Sequence, residues 1–411
     1  MKRRDFVKLT VAGAAALRFS GCESVTTPDG PEPPPPVEGE SALFKVDQIP
    51  ADPFTSGNRH SGVDTLIELM GRNGLKFYRT PLAGTPNGTN GLIAPDDVVL
   101  IKVNAQWKYR GCTNSDLVRG LVQRVLDHPQ GFTGEVVIVE NGQGRGSLAC
   151  DTSSSYNGNT EVHANAQDES HSFLWLVGTL FNDPRVSAFL LDPVRGNFIG
   201  ADDHLSNGYR RFENISYPCF TTAGGRRVEL REGVWNGASH ASNLKLINVP
   251  VLKHHDTGGS EITGALKHMY GLVSMSDGQS GFRHYAGLGE TCGKMMASVH
   301  TPVLNIMDAI WVAHTALSGY PASATRRLNT IVASQDPVAL DYWAAKRVLY
   351  PVDNNERHHP DFAGIDAWLK AAQDTINAAG GFAQTARGIA VENPTKTESE
   401  MTLHSAAAGS L

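Results

Sequence analysis

The chain has 411 residues, with 36 Lys and Arg against 42 Asp and Glu, a formal net charge of −6 and 8% aromatic residues. This acidic balance, without a Lys/Arg-rich run, excludes the electrostatic footprint of a nucleic-acid binder. No stretch after the N-terminal leader is apolar over the length a bilayer requires, and residues 42–411 suffice for one large or two ordinary α/β domains.

The first 22 residues read as an export signal. Lys2, Arg3, Arg4, Asp5, Phe6, Val7 and Lys8 precede a short apolar run over 9–17, an arrangement that resembles a twin-arginine (Tat) leader. The following Phe19, Ser20, Gly21 and Cys22 resemble a lipobox, in which Cys22 is the lipidation site. The small residues Ser20 and Gly21 fit that reading, whereas Arg18 and Phe19 depart from it. Residues 23–41, with Pro31, Pro33, Pro34, Pro35 and Pro36, cannot pack a core and read as an extended tether. The expected destination is the periplasm or cell envelope, reached through the Tat machinery, with the body held to a membrane by a lipid on Cys22. Tat cargo is exported folded, which leaves room for a cofactor loaded beforehand.

Strands and helices then alternate. Residues 42–46, 63–70 and 75–79 suggest a strand, a helix and a strand. The apolar run at 98–103 is a strand, and Asn114 and Ser115 cap a helix with the face Leu117, Val118, Leu121, Val122, Val125 and Leu126. Residues 135–140 (EVVIVE) form the next strand, so the spacing predicts a parallel β-α-β unit. A helix follows at 172–181, a strand at 186–191 and a hairpin strand at 227–230. Residues 151–240 are rich in Asn, Gly, Ser and Asp and read as a loop-rich insertion. The run at 246–252 is a buried strand, 303–310 and 330–333 are two more, and Asp336-Pro337 opens a helix reaching about 349. The fold class is therefore α/β, with mostly parallel sheet and flanking helices, arranged as one domain over 42–350 or as two α/β lobes. Residues 351–411 form a helical C-terminal extension.

Beyond Cys22 the cysteines are Cys112, Cys150, Cys219 and Cys292, too scattered for a ferredoxin-type iron–sulfur cluster. In an oxidising compartment they allow two disulfides in any of three pairings, and at least one is expected, with buried free thiols as the alternative.

Chemistry concentrates at strand ends. Lys102 and Asn104 share one face of their strand, so a lysine enters a region that otherwise reads as buried, and a buried lysine is costly unless paired. Lys253 and Lys267 interrupt apolar patterns in the same way. Together they suggest a cationic pocket for a small anion, with a lysine snorkelling from a strand end as the structural alternative. Glu140 and Asn141 end the neighbouring strand and face the same presumed cleft. His254 and His255 cannot both point inward from an extended chain, while His268 can return toward the strand end. With His284 they form a candidate metal set (His254, His255 and His284), against hydrogen-bonding or acid–base roles for the same imidazoles. The Gly142–Gly146 stretch lacks the GxGxxG spacing and no helix opens after it, so it reads as a loop. Asp308 and Asp341 are placed to orient cationic groups.

The order of VLIKVN at 99–104, VVIVENG at 136–142, LINVPVLKHH at 246–255, TGALKHMYGL at 263–272 and NTIVASQDPVALDYWAA at 329–345 resembles the DUF362 family across roughly 44–349. Lys102 and Asn104 match the family's KPN strand end, with Val103 in place of proline. Lys253 and His255 match its KTH-like pair, and Lys267 matches a lysine usually followed by asparagine rather than His268. The family is defined by sequence, and many relatives carry ferredoxin-like cysteine clusters that this chain lacks. No such cluster is therefore expected here, and a divalent metal is the candidate cofactor.

The leading expectation is an exported enzyme acting on a small anionic molecule. Lys102, Asn104, Glu140, Asn141 and Lys253 would bind the substrate, and His255, His268 and Lys267 would carry the chemistry of a metal-dependent hydrolase or an oxidoreductase. The alternative is a non-catalytic lipid-anchored protein that captures a ligand or cofactor. A structural surface protein, with the 253–255 region exposed, is the third possibility.

Overall fold

The computed structural model describes residues 41–144, 146–151, 161–191, 207–255, 261–278, 281–382 and 393–411. The leader, the tether and Cys22 lie outside these residues, as does Asp256. Among the described residues no helix is long and apolar enough to cross a membrane.

One large sheet organises the molecule. Its strands are β1 (Ser41–Asp47), β2 (Val98–Val103), β3 (Glu135–Glu140), β4 (Val186–Leu190), β5 (Leu244–Val249), β6 (Val251–His254), β7 (Ile262–Thr263), β8 (Leu304–Ala313), β9 (Thr325–Ser334) and β10 (Met401–Ala407). They run in the order β10-β1-β9-β8-β5-β2-β3-β4, with β6 paired to β7 and β8. The run from β8 through β5, β2 and β3 to β4 is parallel throughout. Strand β9 pairs antiparallel with both β8 and β1.

Period-two alternation divides each central strand between two cores. Val98 and Leu100 of β2, Val137 and Val139 of β3 and Leu244 and Leu246 of β5 face one core, while Val99, Ile101, Val136, Ile138, Ile247 and Val249 face the other. Helices α1 (Ser61–Arg72) and α2 (Ser115–Leu126) cover the second face through Val63, Leu66, Leu117, Val118 and Leu121. Asn114 caps α2, its Oδ1 accepting from the Leu117 amide at 2.9 Å. The first face is covered by α3 (Ala265–His268), α4 (Leu288–Lys294), α5 (Pro337–Ala344) and α6 (Ala363–Ala378). Even-numbered Lys102 therefore points toward α3.

The structure refines three expectations. The run at 246–252 is two strands, because Pro250 has no N–H to donate and breaks the ladder between β5 and β6. The described part of the 151–240 insertion contains a five-stranded antiparallel meander (Gly208–Phe212, Ile215–Thr221, Arg227–Glu229, Gly233–Trp235 and His240–Ala241). Its Tyr209, Ile215, Tyr217 and Val228 join the first core. After residue 350 the chain supplies α6 and then β10, which lies parallel to β1 from Ser41↔Met401 to Asp47↔Ala407.

Asp336 ties these parts together. Its Oδ1 caps α5 by accepting from the Val338 and Ala339 amides at 2.8 and 3.0 Å, and its Oδ2 accepts from Ser41 Oγ at 2.6 Å and the Thr395 amide at 2.9 Å. Replacing it leaves four donors without their partner in a buried setting. Asp336→Ala is expected to lower unfolding stability by about 2–4 kcal/mol in urea titrations. Asp374→Ala, which removes an exposed ion pair with Lys370, should change it by less than about 1 kcal/mol.

Candidate functional site

At the carboxyl ends of β2, β3 and β6, residues from four separate segments line one cleft: Lys102, Asn104 and Gln106; Glu140 and Gln143; Lys253 and His255; and Thr263, Lys267, His268, Tyr270 and Gly271. Ligands of open α/β sheets sit at this end of the strands. The space enclosed is about 20 Å³, room for about one water-sized group.

Lys102 and Glu140 form the floor. The Lys102 ammonium is fully buried, hydrogen-bonded to Glu140 Oε2 and donating to the Val103 carbonyl at 2.8 Å. Burial drives the lysine below and the carboxyl above their ordinary pKa values, and the partner's charge opposes the shift in each case. Gly271 lies directly over the pair. A Cβ there would stand 2.6 Å from Lys102 Nζ and 2.9 Å from Glu140 Oε2, so a side chain at 271 would have to displace the buried pair.

Lys253 reaches from β6 and donates to the carbonyls of Gly111 at 2.7 Å and Leu317 at 3.1 Å. Burial lowers its pKa to about 7, against the opposing influence of Cys112 and Glu140. Its charge therefore titrates near neutrality. Lys267 is also buried, in α3.

The two cleft histidines are neutral at pH 7. Burial, followed by the charges of Lys267 and Lys253, holds His255 well below its ordinary pKa. Burial and then Lys102 do the same for His268, with the Val103 carbonyl opposing. A row of amides orients His268. Asn305 Nδ2 donates to the Ser334 carbonyl, Asn248 Nδ2 donates to Asn305 Oδ1, and Asn248 Oδ1 faces His268 Nδ1 at 2.6 Å. Because Asn248 also donates through Nδ2 to the Ala265 carbonyl, its Oδ1 is the acceptor and the imidazole proton sits on Nδ1. The buried Nε2 has no hydrogen-bond partner among the described residues.

Of the residues singled out from sequence, Lys102, Asn104, Glu140, Lys253, His255, Lys267 and His268 converge here. Asn104 also braces the cleft, its Oδ1 accepting from the Val251 amide at 3.2 Å. Asn141 does not line the cleft; it bridges its own loop to the Val273 carbonyl at 3.0 Å. The set His254, His255 and His284 is not assembled. His255 and His284 meet edge to face, with ring centroids 5.4 Å apart, but strand alternation turns His254 away to His358, Nδ1 to Nε2 at 2.9 Å. Among the described residues no group of three His, Cys, Asp or Glu side chains is disposed to hold a metal ion.

Asp308 and Asp341 orient backbone rather than cations. Asp341 accepts from the Ala265 and Leu266 amides at 2.5 and 2.9 Å, which fixes the start of α3, and Asp308 accepts from the Asn114 and Ile310 amides. Burial raises both carboxyls to about 7. The sequence reading missed Gln106, Gln143, Thr263 and Tyr270, which are uncharged and interrupt no pattern.

A larger groove of about 360 Å³ lies elsewhere, lined by Arg211, Asn214, Asp277, Arg283, Glu290 and Lys294 among others. Its charges are largely paired, Arg283 with Asp277 at 3.0 Å, Lys294 with Glu290 at 2.8 Å, and Arg211 3.9 Å from the same Asp277.

Residues 225–346 match the family model described as "Domain of unknown function (DUF362)". The matched span holds β5 to β9 and α3 to α5, whereas Lys102 and Glu140 precede it and join the site by geometry. No curated protein and no solved structure gives a significant match to the chain.

The Lys253 shift carries a sign for stability. Its folded pKa of about 7 lies below the unfolded value of 10.5, so between these limits the unfolded chain binds more protons and stability rises with pH. Lys253→Met is expected to remove that increment, on the order of a few kcal/mol. Comparing wild-type and variant urea midpoints at pH 7 and pH 9.5 measures it, and parallel pH dependences would contradict the assignment.

Proposed function

Because the DUF362 family model that matches residues 225–346 assigns no activity, we propose from the cleft itself that the chain is an enzyme acting on a small anionic molecule. The carrying observation is the convergence of Lys102, Lys253 and Lys267, from three segments, on a buried cleft whose only lining carboxylate among the described residues is Glu140. Glu140 is engaged by Lys102, and Lys253 is held at the cleft by the carbonyls of Gly111 and Leu317, which carry no formal charge, so an incoming anion would meet a cationic wall. The enclosed space admits one oxygen of a carboxylate or phosphate head, with the rest of the substrate lying toward the opening.

The imidazoles supply the catalytic part of the reading. A base must be unprotonated where it works, and burial, followed by the lysine charges, keeps His255 neutral at pH 7. His268, with Nδ1 committed to Asn248, has Nε2 as its proton-accepting atom. A protein that only captured an anion would gain more from charged imidazoles than from neutral ones. The twin-arginine leader and Cys22 support a location outside the cytoplasm, tethered to a membrane by the proline-rich segment.

Titration calorimetry with inorganic phosphate and short mono- and dicarboxylates, at pH 6 and pH 8, tests the binding. Affinity should fall several-fold, up to about tenfold, from pH 6 to pH 8 as Lys253 loses its proton. Lys267→Met should weaken binding at both pH values. With a turned-over anion in hand, His255→Gln should keep affinity while losing about 100-fold or more in rate. Binding indifferent to pH and to Lys267→Met would refute the cationic cleft, and loss of affinity without loss of rate in His255→Gln would mark a non-catalytic binder.

A further inference from the structure

We propose that Cys112 and Cys150 form a disulfide that straps together the two loops leaving the carboxyl ends of β2 and β3. All four described cysteines are buried free thiols in the structure, but they do not stand alike. Cys112 and Cys150 share the core below α2, near enough for each side chain to influence the other, while Cys112 Sγ lies 3.2 Å from the Tyr109 carbonyl. Cys219 and Cys292 belong to the core on the opposite face of the sheet. Of the three pairings the sequence allows, the geometry therefore favours one.

The backbone around the pair is already drawn together. The Cys150 carbonyl accepts from the His163 amide at 3.0 Å, the His163 carbonyl accepts from the Tyr109 amide at 2.7 Å, and the Cys112 amide donates to the Tyr109 carbonyl at 3.3 Å. Four residues before Cys150, a Cβ on Gly146 would lie 1.9 Å from the Ala105 carbonyl, so the two loops touch backbone to backbone. A covalent link there would join loops that are already in contact.

The two sulfurs are unequal in the way thiol exchange requires. Burial opposes ionisation of Cys112, but the Cys150 side chain, the Asn165 contact and the charges of Lys253 and Arg110 outweigh it and hold the thiol below its ordinary value. Burial, reinforced by Cys112, holds Cys150 well above. Cys112 is then the attacking thiolate and Cys150 the resolving thiol. The oxidant is a disulfide, either glutathione disulfide or that of a thioredoxin-fold oxidase. Cys112 sulfur attacks it and releases one thiol. Cys150 gives up its proton and attacks the Cys112 sulfur of the mixed disulfide, releasing the second. The protein loses two electrons and two protons, and the oxidant becomes two thiols.

The strap adjoins the cleft, since Gly111, next to Cys112, supplies the carbonyl that holds Lys253 Nζ. It does not depend on what occupies the cleft.

The test is peptide mapping of the full chain refolded in a glutathione and glutathione disulfide buffer, with remaining thiols alkylated before proteolysis. The expected product is a reducible 112–150 linked peptide, two hydrogens lighter than its parts, with Cys219 and Cys292 alkylated. The Cys219→Ser/Cys292→Ser variant should keep the link, and the oxidised protein should melt about 5 °C above the reduced one. Four alkylated cysteines, or a link that uses Cys219 or Cys292, would overturn the proposal.

Discussion

Lys102 and Glu140 stand at the ends of adjacent parallel strands with both charges sealed from water, and neither could be buried alone. A lone charge in such a place costs several kcal/mol, while the pair roughly offsets its own desolvation. The register sets the ends side by side: Lys102 lies opposite Val139, one residue before Glu140. Because the pair adds little net stability, its position at the floor of the cleft is better understood through what it does to the surroundings. It places a fixed dipole under the other lysines, and Gly271 closes the wall above, where a side chain would have to displace the pair.

The walls of the cleft are held by main-chain hydrogen bonds from buried carboxylates and amides. Asp341 grips the start of α3, Asp308 grips the turn before α2, and the row from Ser334 through Asn305 and Asn248 to His268 crosses three strands. Each fixes a segment of the site to a sheet buried on both faces. Side chains mounted this way keep their geometry without a bound ligand, which lowers the reorganisation a substrate has to drive.

Much of this was visible in the sequence, for a physical reason. A lysine inside an apolar strand or helix breaks a local pattern, and Lys102, Lys253 and Lys267 each do so, which is why they could be placed in one cleft before any contact was known. Alternation likewise required His254 and His255 to part. What escaped has no local signature. Thr263 and Tyr270 are ordinary neutral residues, and β10 joins β1 across the length of the chain with a half-exposed sequence that suits an edge strand but names no partner. The meander over 208–241 hides among Asn, Gly and Ser because its strands are short and its turns frequent. The Cys112 and Cys150 contact depends on two loops meeting, and loop proximity is written in the sheet order rather than in the spacing of the cysteines.

An acidic chain that gathers three lysines in one buried cleft sets up a linkage between ligand and proton. The lysine charges depress the proton affinity of His255, and burial depresses that of Lys253. An anion among them screens the first effect and reverses part of the second. Both groups then bind protons more tightly in the complex than in the free protein, and anion binding and proton uptake favour each other by the same free energy. On the proposed reading, an anion in the cleft would raise the proton affinity of His255, so that its acid–base capacity would grow beside the bound group.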